Sequence, residues 1–506
     1  MKQNETLTQK LKHVKQVLTR VEQYDHAVNV LSYDQETICP PDAMEEQGEV
    51  WALLNNLSFK LVKDPAFIEA AEYLYEHRGE LEEFDRVMAE QLHRNYVQTK
   101  NITPELQHEF MLTFNRAFVN WSKAREAGDY SLFAPSLKEV ADTNRRMIEL
   151  RGEDAAGKTA YDTLLDDYER GMTSEVLDEA FGACKERLIP LLEKIQKSPR
   201  KIRTDFLTRR ADEEQQAKMT KWLLTQMRFN FARGAFTTSE HPFTASMGRF
   251  DTRITTHYYP NQFLAAMYST IHEGGHALFD QNQPQENHDH FIIGGKTLGM
   301  HESVSRFYEN RIGRSEAFVR FAYPKICEFF PEVMEGVTAE EFYLAVNAVK
   351  PSLIRTEADE FTYTFHIIIR YEIEKALFAG EIKVEDIPAL WNRKYQEYLG
   401  VSPTSDRNGA LQDVHWTSGF GYFPTYAIGN FYNAMYYNRM KQEVAVEEAI
   451  REGNFEPVNN WMIGHVFAKA ERLSPKEWIR DITGREFTPT DFLDYLEEKY
   501  SGIYGL

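Results

Sequence analysis

Cysteine is scarce. Cys39, Cys184 and Cys327 are odd in number, far apart and form no CxxC pair, so a disulfide framework is not expected. No apolar run approaches the roughly 20 residues that span a bilayer, and the opening stretch MKQNETLTQKLKHVKQ lacks the apolar core of a signal peptide. Pro/Gly/Ser-rich linkers, low-complexity tracts and internal repeats are also missing. One body over residues 1–506, with two lobes around a cleft, is therefore simpler than the about three domains that length alone suggests. Positive charge is in deficit: 58 Lys and Arg face 78 Asp and Glu, a net charge of −20. Such a surface repels phosphate backbones and anionic lipid, so neither nucleic acid nor membrane is an expected partner. These absences describe a cytoplasmic protein.

Helical periodicity is abundant. Leu7, Leu11, Val14, Leu18, Val21, Val28 and Leu31 form an apolar stripe on one long helix. The stripe suits the core of a helical hairpin better than a dimer seam or mobile lid. Further helices are predicted through WALLNNLSFKLV, EQQAKMTKWLLTQMRF, FLAAMYSTIHEGGHALFDQ, FTYTFHIIIRYEIEKALF and PALWNRKYQEYL. Strand signal is weak and centres on GRFDTRITTHYY, residues 248–259. A mostly α protein with a small sheet beside its site is the expectation.

The stretch TIHEGGHALF carries the chemistry. His272 and His276 stand four apart, so they share one helical face and can grip one cation. Glu273 points about 100° away, where it can take a proton from a water at that cation. This is the HExxH arrangement, of which fewer than about 0.1 copies arise by chance in a chain this size. Gly274 and Gly275 cost roughly 1 kcal/mol each in mid-helix and therefore imply something packed close to the backbone. A hydrolytic zinc wants three protein ligands and one open position. Glu302 in HESVSR lies 26 residues past His276, beyond a segment with Pro284 and several glycines, and is the third candidate ligand. His301, His288 and His290 are its rivals. Residues 294–297, GGKT, imitate the end of a phosphate-binding loop, but His290 stands where its first glycine belongs, so a plain loop is expected.

HPF at 241–243, DTRIT at 251–255, HEGGH, HESVSR, IRTEAD at 354–359 and GALQDVHW at 409–416 occur in an order that resembles the thermostable-carboxypeptidase group of zinc metallopeptidases, family M32. LSYDQETICPP at 31–41 and GYFPTY at 421–426 extend the likeness over nearly the whole chain. The resemblance implies a helical saddle similar to neurolysin and the angiotensin-converting enzymes, with a deep cleft and a small antiparallel sheet beside the HExxH helix. It also implies a homodimer that removes single residues from peptide C-termini with broad specificity and accepts proline there poorly. One departure is visible: many members have glutamine where Val304 stands. A glutamine that touched substrate or oriented a ligand would make specificity or metal affinity differ here.

The expected mechanism assigns the metal to His272, His276 and Glu302 and the general base to Glu273. Zinc and cobalt both suit such ligands. His415 and Tyr422 are the expected donors to the developing oxyanion, with Tyr426 in reserve, by similarity to the His and Tyr donors of related peptidases. Arginine is the natural reader of a free carboxylate, which nominates Arg355 and Arg253. Each has a structural alternative, an ion pair with Asp359 or Asp251. Tyr426 and His301 complete the expected substrate-binding set, whereas His241 and Trp416 are read as shaping the cleft. Asp413, Asp359 and Glu357 are available as outer partners for the zinc histidines. The alternative functions are an oligopeptidase that cuts internal bonds, which needs no carboxylate clamp, and a silent metal-stabilised binding protein. A structural zinc needs no general base, so Glu273 speaks against the last.

Overall fold

The computed structural model describes residues 2–292 and 297–506. Residues 294–296 of the phosphate-loop look-alike at 294–297 lie outside the described residues, and Thr297 directly precedes the helix Leu298–Arg306. The apolar stripe near the N-terminus becomes a helix over Lys2–Thr37. Its Leu7, Val14 and Leu18 are buried against Phe67, Ala70, Leu74, Val87 and Met88 of the following helices. The stripe is spent on its own chain, as the hairpin reading anticipates. The other predicted helices also form, at Met44–Val62, Glu213–Gln226, Phe263–Gln281, Tyr363–Ala379 and Ile387–Leu399. Local chemistry sets many ends. Asp64 accepts from the N–H groups of Ala66 and Phe67 to start one helix, and Gly380 at φ 75° closes another. Among the described residues no helix is long and apolar enough to cross a membrane, and all three cysteines are free.

Three strands make one sheet: β1 Gly234–Thr238, β2 Thr244–Gly248 and β3 Asp251–Thr256. Their order is β1-β3-β2. β2 and β3 pair antiparallel through the tight turn at Arg249 and Phe250, but β1 and β3 run parallel. The sheet is therefore mixed, not antiparallel as expected. The reason is topological: the link from β1 reverses the chain yet leaves a gap, and β3 fills it. A strand antiparallel to β2 must then run parallel to β1.

The large core extends from Ala117 to Tyr504 and encloses Trp391, Trp478 and Tyr308. The helix Phe263–Gln281, which carries HEGGH, packs against β3, the helix Glu213–Gln226 and the helix Leu298–Arg306, which carries HESVSR. Beside β2 a hollow of about 880 Å³ opens between the N-terminal helix and the end of the HEGGH helix, lined by Glu22, His26, Ser246, Phe279 and Asp280 among others.

Candidate metal centre

Two glycine contacts bring the candidate metal ligands together. A Cβ on Gly275 would lie 2.8 Å from Ser305 Cα and 3.1 Å from the Val304 carbonyl oxygen. Only a glycine lets the HEGGH helix meet the HESVSR backbone this closely. From the other side Gly429, on the helix Pro424–Met440, presses on Glu302 and Ser303. Glu302 is thus held between two helices with its carboxylate aimed at the histidines. Glu302 Oε2 lies 3.6 Å from His272 Nε2 and 3.5 Å from His276 Nε2. Among the described residues these three side chains form the group able to hold a metal ion, their ligand atoms all within 4.8 Å of one another.

Each candidate ligand is backed by a partner. His272 Nδ1 meets Glu309 Oε2 at 2.9 Å, and His276 Nδ1 shares a short hydrogen bond with His301 Nδ1, whose Nε2 lies 3.2 Å from Asp280 Oδ1. Arg306 Nε donates to Glu302 Oε1 at 2.8 Å, and Ser305 Oγ donates to Oε2 at 3.0 Å. Burial opposes ionisation of Glu302, but His272, Arg306 and His276 outweigh it and hold the carboxyl far below its usual range. Glu309 is likewise carried against burial, by Arg306 and His272, to about 2. Burial disfavours charge on His272, yet Glu302, Glu309 and Glu273 raise its pKa to about 9. The carboxylates therefore favour positive charge beside His272, whereas burial lowers the pKa of His276 and keeps that imidazole available as a neutral donor. Two imidazoles and one carboxylate at that spacing fit a divalent cation.

Glu273 is buried, and Thr244 Oγ1 on β2 lies 2.6 Å from its Oε2. Facing the cluster stands an aromatic wall. His415 Nε2 and Tyr426 Oη are 3.2 Å apart, and the ring of Tyr422 lies 5.2 Å from His415 and 5.4 Å from Tyr426. Burial raises both tyrosine pKa values, and the nearby Glu302 charge adds to it. His415 is lowered to about 4 by burial, with Arg355 and Arg370 adding to it against the pull of Asp413, and is therefore neutral at pH 7. Arg355 lies beneath Tyr426, its guanidinium carbon 4.8 Å from the ring centre. Its Nε and Nη2 donate to Asp413 Oδ1 at 3.1 and 2.9 Å, and Nη1 donates to Tyr363 Oη at 3.0 Å.

The family described as Carboxypeptidase Taq (M32) metallopeptidase matches residues 13–500. The chain belongs to this family. It is 38% identical to Carboxypeptidase 1 of Bacillus subtilis over 97% of this chain and 98% of that one. To Thermostable carboxypeptidase 1 of Thermus thermophilus the identity is 36%, over 94% and 95%. The M32 carboxypeptidase of Deinococcus radiodurans superposes with a TM-score of 0.94 at 31% identity, covering 99% of this chain and all of that one (100%). Metallocarboxypeptidase 1 of Trypanosoma cruzi gives 0.93 at 30%, covering 97% and 99%. The chain is accordingly a metallocarboxypeptidase, a peptide hydrolase of a family that works with a divalent metal.

Within this M32 carboxypeptidase, several nominated residues sit elsewhere than sequence suggests. His290 meets Asp85 at 2.6 Å and is occupied there, and His288 lines the hollow beside β2. His301 lies behind His276, with both ring nitrogens engaged. Arg253 donates Nε and Nη2 to Asp251, at 3.0 and 2.7 Å to its nearer oxygens, and covers the ring of Tyr33. Arg355 is paired, but with Asp413 instead of Asp359. Asp359 accepts from Lys350 N and Thr362, and Glu357 is exposed. The outer partners of His272 and His276 are instead Glu309 and the His301–Asp280 pair. Spacing offered a signal for both: Asp280 follows His276 by one turn and Glu309 follows Glu302 by two. The six-residue π-helical segment Phe307–Ile312 carries Glu309 to His272. Thr244 had no signal, because it comes from a strand. Val304, the noted departure within HESVSR, is fully buried in the main core. His241 is exposed at the turn between β1 and β2.

Proposed function

We propose that this protein is a zinc-dependent carboxypeptidase that releases single C-terminal residues from peptides with broad specificity, the whole chain acting as one catalytic domain. The observation that carries it is a three-ligand cluster, with no fourth protein ligand among the described residues, next to a buried carboxylate that is not itself a ligand. His272, His276 and Glu302 hold the ion; zinc is the first choice and cobalt suits the same donors. When bound, the ion supplies Lewis acidity, polarising the scissile carbonyl and acidifying water. Glu273, steadied by Thr244, takes the proton of the attacking water and delivers it to the leaving amine. Tyr422 donates to the developing oxyanion, with Tyr426 and neutral His415 beside it. His301 positions His276 and reaches substrate only through it.

Arg355 places a permanent positive charge under this wall, and part of its donor fork remains unspent for a free carboxylate. Arg253, tied to Asp251 at the sheet, is the second candidate. The second reading is an oligopeptidase, which needs no clamp; the observation behind it is that both arginines are paired with aspartates. A cytoplasmic location with no nucleic-acid or membrane partner belongs to the same reading, supported by the free cysteines and the net charge of −20, as does the homodimer that the family resemblance implies.

The test is mass spectrometry of one peptide and its C-terminally amidated twin with zinc-loaded protein. Stepwise loss from the free acid alone supports the proposal; internal cleavage of both peptides establishes the oligopeptidase. Glu273→Gln should retain zinc and lose roughly 10²–10⁴-fold in turnover. Near-normal turnover in that variant would refute the mechanism.

A further inference from the structure

We propose that Glu374 is a positioning residue for hydrolysis, setting the place of the loop that brings His415 and Tyr422 to the metal centre. The inference rests on the roles proposed above for those two residues. Glu374 lies on the helix Tyr363–Ala379, is fully buried, and is neither a nominated metal ligand nor a catalytic group. Its oxygens are spent on three donors. Oε1 accepts from Trp416 Nε1 at 2.7 Å, and Oε2 accepts from Gly421 N at 2.9 Å and from Tyr161 Oη at 2.8 Å. Trp416 directly follows His415, and Gly421 directly precedes Tyr422.

One turn earlier on the same helix, Arg370 donates to Asp413 Oδ2 at 2.7 Å and to Gln412 Oε1 at 2.8 Å. A single rigid helix therefore grips the loop at four residues, and each functional side chain neighbours a pinned one. Gly421 adopts φ 91°, and a Cβ there would lie 2.9 Å from the Leu164 backbone. The loop is thus wedged between Leu164 and Glu374 with no slack. A buried carboxylate is costly unless donors converge on it. Here two of the three donors belong to the loop itself. All three partners donate, so the loop needs the carboxylate as a pure acceptor, although burial pushes its pKa up to about 7.

Glu374→Gln keeps the volume but turns one acceptor into a donor. Tyr161→Phe removes one bond from the same carboxylate without touching the loop. Both are to be assayed as zinc-loaded enzyme on a peptide with a free C-terminus, with metal content and melting temperature measured in parallel. For Glu374→Gln, kcat should fall roughly 10–100-fold with KM within about twofold and zinc unchanged, the signature of a misplaced donor. Tyr161→Phe should keep kcat within about twofold. Equal kcat losses in the two variants, a normal Glu374→Gln, or a loss that tracks missing zinc would each overturn the proposal. Trp416→Phe, which deletes the Oε1 bond together with part of the buried indole's packing, must show the same split if Glu374→Gln does not fold. Tyr422→Phe is measured alongside. Normal turnover there removes Tyr422 from the mechanism, while the kcat and KM of the Glu374 variant still test the loop through His415.

Discussion

Replacing Thr244 by valine removes one hydroxyl and little else. In the native protein Thr244 Oγ1 lies 2.6 Å from Glu273 Oε2 and 3.2 Å from the Glu273 carbonyl oxygen. The shorter distance is in the range of a charge-assisted O–H···O⁻ bond, and such bonds contribute about 1.5–3 kcal/mol. Thr244 is on β2 while Glu273 is on the facing helix, so this bond fixes the carboxylate relative to the sheet. If it holds the base in its productive orientation, its loss appears in the transition state. At about 1.36 kcal/mol per tenfold, kcat should drop roughly 10- to 150-fold. Metal content should not change, because neither partner is a nominated ligand. The assay is steady-state hydrolysis of a free-acid peptide by zinc-loaded Thr244→Val, with Thr244→Ser as the rescue. A valine variant within about twofold of the native rate, or a serine variant as slow as valine, would refute this role.

Four further outcomes are expected. Gly275→Ala should weaken metal affinity about tenfold or more, measured by chelator competition, because its Cβ collides with the Ser305 backbone. Gly274→Ala should be milder, since its Cβ meets the flexible end of Met227. Arg355→Ala should raise KM for a free-acid peptide far more than it weakens inhibition by the amidated twin; equal effects would assign Arg355 to structure. Glu169 is buried, and that burial, with Glu471 adding, pushes its carboxyl pKa from 4.5 up to about 8. The native state then keeps a proton that the unfolded chain releases, so stability falls as pH rises from about 4.5 to about 8. Glu169→Gln should therefore gain melting temperature over the native protein as pH goes from about 5 to about 8; a constant difference would refute the linkage.

Sequence alone reached the helical class, the helix Phe263–Gln281 to the residue, and the grouping of two histidines on one face. Each depends on local periodicity, and the i, i+4 geometry of a helix needs no tertiary information. The ordered motifs gave the family, because six short patterns in sequence constrain far more than one. What spacing could not decide was which long side chain meets which. Arg355 found Asp413 instead of Asp359, and Asp359 went to the Lys350 and Thr362 amides. His301 turned behind His276. The parallel β1–β3 pairing was equally hidden, since a strand's own residues do not record the direction of its neighbour. Thr244 beside Glu273 and Glu374 beneath the His415 loop come from elements distant in sequence. Helix faces are written locally, but the partners that aim a carboxylate are chosen by packing, and only the folded chain brings those partners within reach.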